Sequence, residues 1–377
     1  MRVGRAVVHE LTIPFVESFR HARKERSHSD SVLFVVELAC GVRGYGEGVP
    51  RPYVTGETPE LMVEEIIESL WPRVRSRDWH IAELQDLLDI SKYLGVSDEA
   101  RKRASVAAVE LALLDGVLKT QDVGLSTLLP PKAQQVRYSG VITAGEPKKV
   151  EQIARQYKLF DIPDVKVKVG FKDDHARLRC VRGILGGDKS IRIDANGAWT
   201  VAEAIANINR LADIGLDAVE APIAPGSVSD LAEVKRGIDV PVCVDEFLVS
   251  RRDAFDLIEQ DACDIFNLRV SKCGGIGELL RFAELANAHD LCYQIGCQVG
   301  ETAILSAAGR HVAAHLSDFV FLEGSFGSFL LTEDLSEPDV NFGHRGVGAL
   351  FTGPGLGINI LEERIEKYSV RKHVLQN

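Results

Sequence analysis

The chain has 377 residues, 45% of them hydrophobic and 26% charged, with a formal net charge of −11. That length allows two domains or one barrel with additions, and the acidic balance argues against nucleic acid or an anionic membrane as the main partner. No apolar stretch reaches the 18 residues of a membrane span, the N-terminus lacks a signal-like apolar core, and the seven cysteines include no CxxC pair, so a cytoplasmic protein with buried thiols and no disulfide framework is expected.

Residues 1 to about 50 alternate like an antiparallel meander, with strands beginning near Ala6, Ser31 and Gly41. The glycines of the third strand, Gly44-Tyr-Gly-Glu-Gly, suit an edge strand that something approaches closely. Between the first two strands lies a loop dense in cations, Ser18 to His28. Its His21 and Arg23, with Arg51 and Tyr53 farther on, are candidates to hold the distal end of an acidic substrate such as a dicarboxylate; the plainer reading is a solvated loop. Pro59 to about Gln121 reads as helices, and Ser105–Leu118 carries two adjacent apolar stripes, so that helix is expected to be buried. From Val136 onward, short apolar strands alternate with amphipathic helices: Val136–Val141, Val165–Val169, Ile191–Asp194, Ala218–Glu220, Val240–Asp245, Ile265–Val270, Leu291–Ile295 and Phe319–Leu322. Eight strands with seven intervening helices predict an α/β fold closed into a TIM-like barrel.

Asp194, Glu220 and Asp245 each close one of these apolar runs, about 25 residues apart, close to one βα unit. Parallel strands in register bring all three to the carboxyl rim, where three oxygen ligands without Cys or His suit Mg²⁺ or Mn²⁺. Alternation sends Lys166 and Lys168 to one side of the second strand. A buried lysine beside a divalent cation has a lowered pKa and serves as a base. A carboxylate substrate that loses its α-proton there becomes an enolate, which the metal stabilises. Asn196 is expected to orient a ligand or loop, Glu246 to salt-link a lysine, and Lys272 to play a supporting part. Glu301 and Glu323 either line the pocket or cap the next helix. His311 and His315 read as plain helix residues.

Over nearly its whole length the chain resembles the enolase superfamily in its muconate-lactonising branch. The resemblance rests on Lys166-x-Lys168, Asp194-Ala-Asn-Gly-Ala-Trp, Glu220, Asp245-Glu246, Lys272-Cys-Gly-Gly and Gly353-Pro-Gly-Leu-Gly in order. It implies a modified (β/α)7β barrel with an α+β N-terminal capping domain, divided as 1–127 cap, 128–355 barrel and 356–377 returning to the cap. It also implies Mg²⁺ on Asp194, Glu220 and Asp245, Lys168 as acid/base, Lys166 as its electrostatic support, capping loops that choose a small carboxylate substrate, and a homo-oligomer. Two departures stand out. Arg269 replaces the sixth-strand lysine that is the second base of racemases and epimerases. Leu322-Glu-Gly-Ser replaces the Asp-x-Asp by which dipeptide epimerases hold an ammonium group. Arginine does not deprotonate at ordinary pH, so Arg269 is read as an enolate-stabilising cation, a carboxylate grip, or a structural partner of Glu246 or Asp245. The expected chemistry is one-base and cycloisomerase-like; dehydratase, racemase or epimerase and non-catalytic acid-binding barrel are the alternatives.

Overall fold

The computed structural model describes residues 2–20, 25–79, 88–95, 103–143 and 145–376. A four-stranded antiparallel sheet forms the cap. Val3–Leu11 lies at its centre, flanked by Val32–Leu38 and by the final strand Ser369–Gln376, and Arg43–Gly48 lies at the edge beyond Val32–Leu38. The chain's last strand thus completes the sheet begun by its first. Part of the expected cationic loop is strand instead: Pro14–Arg20 pairs antiparallel with Glu25–His28. His21 and Arg23 lie outside the described residues.

The three glycines of the edge strand set the distance between the sheet and the helix Arg103–Lys119. A Cβ added at Gly44, Gly46 or Gly48 would stand 2.1, 1.9 and 2.2 Å from the carbonyl oxygens of Ala112, Ala108 and Ala104. Glycines two apart on a strand match alanines four apart on a helix, so backbone rests on backbone. The helix is buried through all but its last residue, and Glu57 accepts the Ala104 and Ser105 amides at its start, at 2.9 and 3.1 Å.

Seven parallel strands follow in sequential order: Gly140–Ile142, Asp164–Lys168, Ser190–Asp194, Ala218–Glu220, Val242–Val244, Ile265–Leu268 and Cys292–Ile295. The first is shorter than the sequence suggests, because Gln135–Arg137 pairs antiparallel with Val347–Ala349 instead. The eighth expected strand is reduced to bridge-length pairing. Val320 N donates to Tyr293 O at 2.9 Å and Glu323 N to Ile295 O at 2.8 Å, while Ser139 N donates to Leu322 O at 2.8 Å. Those bonds join the seventh strand to the first and close the barrel.

Buried carboxylates tie cap to barrel. Glu47 accepts Thr302 N at 3.0 Å and Thr302 Oγ1 at 2.8 Å, capping the helix Ala303–Leu316, and Glu110 accepts Gly277 N at 3.0 Å. Three cysteines, Cys40, Cys180 and Cys292, are exposed rather than buried; each sits on an outward-facing position, and all seven are free thiols. Among the described residues, no helix is long and apolar enough to cross a membrane.

Candidate active site

Strand register places the site. Lys168 pairs with Asp194 and Asp194 with Glu220 across three adjacent strands, and Glu220 pairs with Cys243, two residues before Asp245. Period-two alternation then puts all three carboxylates on the inner side of the carboxyl rim. Asp194 and Glu220 are each 1% exposed and Asp245 2%.

These carboxylates gather around cations. Lys168 Nζ donates to Asp194 at 2.6 Å and to Asn196 Oδ1 at 2.9 Å. Asn196 and Gly197 take left-handed backbone at φ 47° and 67°, a turn that Asn and Gly tolerate, and Asp194 Oδ1 accepts the Asn196 amide at 2.9 Å. The Asp-Ala-Asn-Gly sequence thereby fixes both acceptors of Lys168. Lys166 Nζ sits 2.8 Å from Glu323, 3.3 Å from Glu220 and 3.4 Å from Asp194. Burial by itself would lower its pKa, but Glu220, Glu323 and Asp194 outweigh that and hold the ammonium above the usual lysine range. Asp194 moves the other way: burial is overcome by Lys168 and Lys166, which keep it ionised well below the usual carboxylate range.

On the opposite side of the barrel, Arg269 donates to Asp245 and, at 2.8 Å, to Gln298 Oε1, and lies 3.6 Å from Glu220. Its partner is thus Asp245, not Glu246. Lys272, fully buried, donates to Asp245 Oδ1 at 3.0 Å, Asp245 O at 2.9 Å and Asn267 O at 2.7 Å, which locks the strand end that carries Asp245. Glu246 lies beside Asp245 and Asp194, and among the described residues no lysine is salt-linked to it; burial first and those like charges next push its carboxyl up to about 8. That corrects the expected salt link.

A cavity of about 620 Å³ opens above this layer, lined by Lys166, Lys168, Asn196, Asp245, Glu246, Arg269, Glu301, Glu323 and Tyr53 among others. Glu301 faces it with its carboxylate on the Gln298 amide at 2.5 Å, and burial pushes it up to about 8; the helix behind is capped by Thr302 instead. Glu323 reaches inward to Lys166 and, at 2.5 Å, to Arg192. Arg51 is not in the cavity. Its guanidinium is fully buried on Asp30 at 2.6 Å and on the Pro50 and Val299 carbonyls, where it holds loops together. His311 Nε2 and His315 Nδ1 donate to the carbonyl oxygens of Leu356 and Pro130 at 3.1 and 3.0 Å and stay apart from the site.

Sequence reading missed Arg192, Asn267, Gln294 and Gln298. Asn267 and Gln294 each donate to Glu220 at 3.0 Å. The signal was available: Arg192 lies two before Asp194 and Asn267 two before Arg269, so each shares the inward face of a known site residue.

Among the described residues, no three His, Cys, Asp or Glu side chains form a ready metal cluster; each rim carboxylate is instead held by lysine or arginine. The donor set still suits a hard divalent cation. It is three carboxylates with no Cys or His, and Lys166 and Arg269 between them touch all three, so the oxygens already surround shared positive charge.

A closed parallel barrel, a cap tied to it by buried carboxylates, and a rim where carboxylates and cations alternate define a cap-and-barrel protein whose chemistry lies at the strands' carboxyl ends. The chain belongs to the enolase superfamily, in the family of mandelate racemase and muconate lactonising enzyme: the family model described as enolase C-terminal domain-like matches residues 148–364. It is 29% identical to a hydrophobic dipeptide epimerase of Enterococcus faecalis over 83% of this chain and 87% of that protein. It is 26% identical to an N-succinyl-L-Arg/Lys racemase of Bacillus cereus over 100% of both, and 28% identical to muconate cycloisomerase 1 of Rhodococcus opacus over 95% of this chain and 96% of that one. A crystal structure of the Bacillus cereus N-succinyl Arg/Lys racemase superposes with a TM-score of 0.90 at 25% identity, covering 100% of each chain. An Enterococcus faecalis dipeptide epimerase solved with Mg and L-Leu-L-Tyr superposes at 0.85 and 27%, covering 95% of this chain and 100% of that one. The chain is accordingly an enzyme of this superfamily, whose relatives include epimerases, racemases and cycloisomerases.

Proposed function

We propose that the chain moves the proton α to a substrate carboxylate, with Lys168 as the acid/base and a one-sided outcome, cycloisomerisation or elimination. The observation that carries this is the asymmetry of the cavity. Lys168 lines it from the second strand and Arg269 from the sixth, half a barrel away. Asp194, Glu220 and Asp245 would hold a divalent cation, Mg²⁺ or Mn²⁺, which would supply electrophilic stabilisation of the charge that builds on the substrate carboxylate.

The chain's own residues do the rest. Lys168 in its neutral form takes the proton onto Nζ, and Asp194 and Asn196 both hold that nitrogen in place and stabilise the ammonium that results. Lys166, ion-paired to Glu323, Glu220 and Asp194, lends positive potential beside Lys168. Arg269, unable to give up a proton, stabilises negative charge on the far side and offers no second base.

A second reading, epimerisation or racemisation, draws support from Glu301. It follows the seventh strand, on Arg269's side of the cavity, and burial pushes its carboxyl up to about 8, which favours the proton-bearing form. A proton delivered from there to the face opposite Lys168 would invert the α-carbon without a second lysine. Proton NMR of α-chiral carboxylates incubated with protein and Mg²⁺ in D₂O separates the two. Exchange with retention is expected; inversion that disappears in Glu301→Gln would replace the first reading by the second.

A further inference from the structure

The cavity has two unlike halves. One carries the charged rim already described. The other is walled by Phe326, Phe329, Phe342, Phe160, Ile153 and Val16. Phe342 is the keystone: Phe326 and Phe329 meet it edge-on at ring-centre distances of 5.9 and 5.4 Å, and Tyr138 stacks behind it at 5.4 Å. Phe342 is 8% exposed, yet Phe329, Phe160 and Val16 at the mouth are 56%, 50% and 58% exposed. Large apolar side chains left open to water around one concave mouth mark a surface that a ligand covers.

Charge narrows the ligand further. The charged side chains described in this half are Lys149 and Glu17, which are ion-paired to each other. Neither a second carboxylate nor an ammonium on a substrate's far end meets an unspent counter-charge among the described residues. Arg51, one of the cations that the sequence offered for such a group, is spent on Asp30. A charged tail in this half would lose hydration without meeting a free counter-charge among the described residues.

We infer that the substrate is a monocarboxylate whose distal end is an uncharged aryl or alkyl group, seated on the Phe326–Phe329–Phe342 wall, and not a dicarboxylate. This rests on the proposed α-proton chemistry for the placement of the carboxylate, and the wall then fixes the class of the tail. The cavity's volume of about 620 Å³ suits such an elongated molecule.

Titration calorimetry of the whole chain with Mg²⁺ tests it with three probes of matched length: 5-phenylpentanoate, pentanedioate and 5-aminopentanoate. The phenyl compound is expected to bind at least about tenfold more tightly than either charged one, the discrimination typical of a filled apolar pocket. Phe329→Lys, at an exposed rim position that leaves folding intact by circular dichroism, should shrink the preference for the phenyl compound over pentanedioate by about tenfold. Tighter binding of pentanedioate or 5-aminopentanoate by the unmodified chain overturns the inference. The α-deuterium exchange of the same compounds is read in parallel. Exchange without a tail preference leaves the proton chemistry standing and removes the substrate class. A tail preference with no exchange of any compound does the reverse.

Discussion

At the level of single residues, Arg269 decides most. A lysine there would face the substrate from across the barrel as a second base, and the arginine instead gives Asp245 and Gln298 a permanent cation. Arg269→Lys should therefore add what the chain lacks. Chiral chromatography of an exchanging α-chiral carboxylate is expected to show inversion at least tenfold above the unmodified protein, whose product keeps its configuration. Equal inversion by both would mean that another group already serves the second face. Glu323 makes a different prediction. It is the nearest carboxylate to both Lys166 and Arg192 in a site with almost no solvent, so Glu323→Gln leaves two buried cations with only their more distant acidic partners; loss of one member of such a network costs about 3–5 kcal/mol. Denaturant unfolding should show that loss, and a change below ~1 kcal/mol would contradict the network's role. The residues legible from sequence were those that end a strand or alternate beside one that does: Lys166, Lys168, Asp194, Glu220 and Asp245. Arg51 was misplaced because its motif reads as a loop cation, and nothing local reveals that Asp30 and two carbonyls already enclose it. Glu246 misled for the same reason, since a carboxylate's partner comes from another strand.

Elements were legible where a period was clean. The helix over Arg103–Lys119 announced its burial by two apolar stripes, and the glycine strand announced a close neighbour; only the structure shows that each explains the other. Gly46→Ala pushes a methyl to 1.9 Å from the Ala108 carbonyl, backbone against backbone, which rotamers cannot relieve. The expected cost lies at the upper end of the ~1–3 kcal/mol typical of overpacking, visible as a lower melting temperature, whereas an unchanged melting temperature would show that sheet and helix part easily. Gly275 repeats the logic between domains, where an added Cβ would strike the Glu110 carboxylate. That contact gives the Lys272-Cys-Gly-Gly motif a packing reason beside its catalytic neighbourhood. The eighth strand and the split first strand were poorly legible because short apolar runs do not disclose their partners. Val136 pairs with Gly348, a residue more than two hundred positions away.

For the molecule as a whole, buried acids help to hold the cap to the barrel beside a shared apolar core, and that makes its stability depend on pH. Burial pushes the Glu110 carboxyl up to about 8 from an ordinary 4.5, against the help of the Gly277 amide. The folded chain keeps a proton that the unfolded chain releases near 4.5, so this contribution is full below that value, falls as pH rises, and is gone above about 8. Glu110→Gln, which keeps the shape and the neutral state, should flatten the fall in melting temperature between pH 5 and 8. An equally steep fall in the variant would place the pH dependence elsewhere, for example at Glu47, pushed up to about 7.

The central step is the movement of an α-proton by Lys168. The direct test is the rate at which Mg²⁺-loaded protein exchanges the α-hydrogen of an aryl- or alkyl-tailed carboxylate for deuterium, compared with Lys168→Ala after both are shown to be folded. Exchange by the unmodified chain, with a loss of about a hundredfold or more in the variant, is predicted for a general base. Exchange that survives the loss of Lys168 undiminished would contradict the assignment.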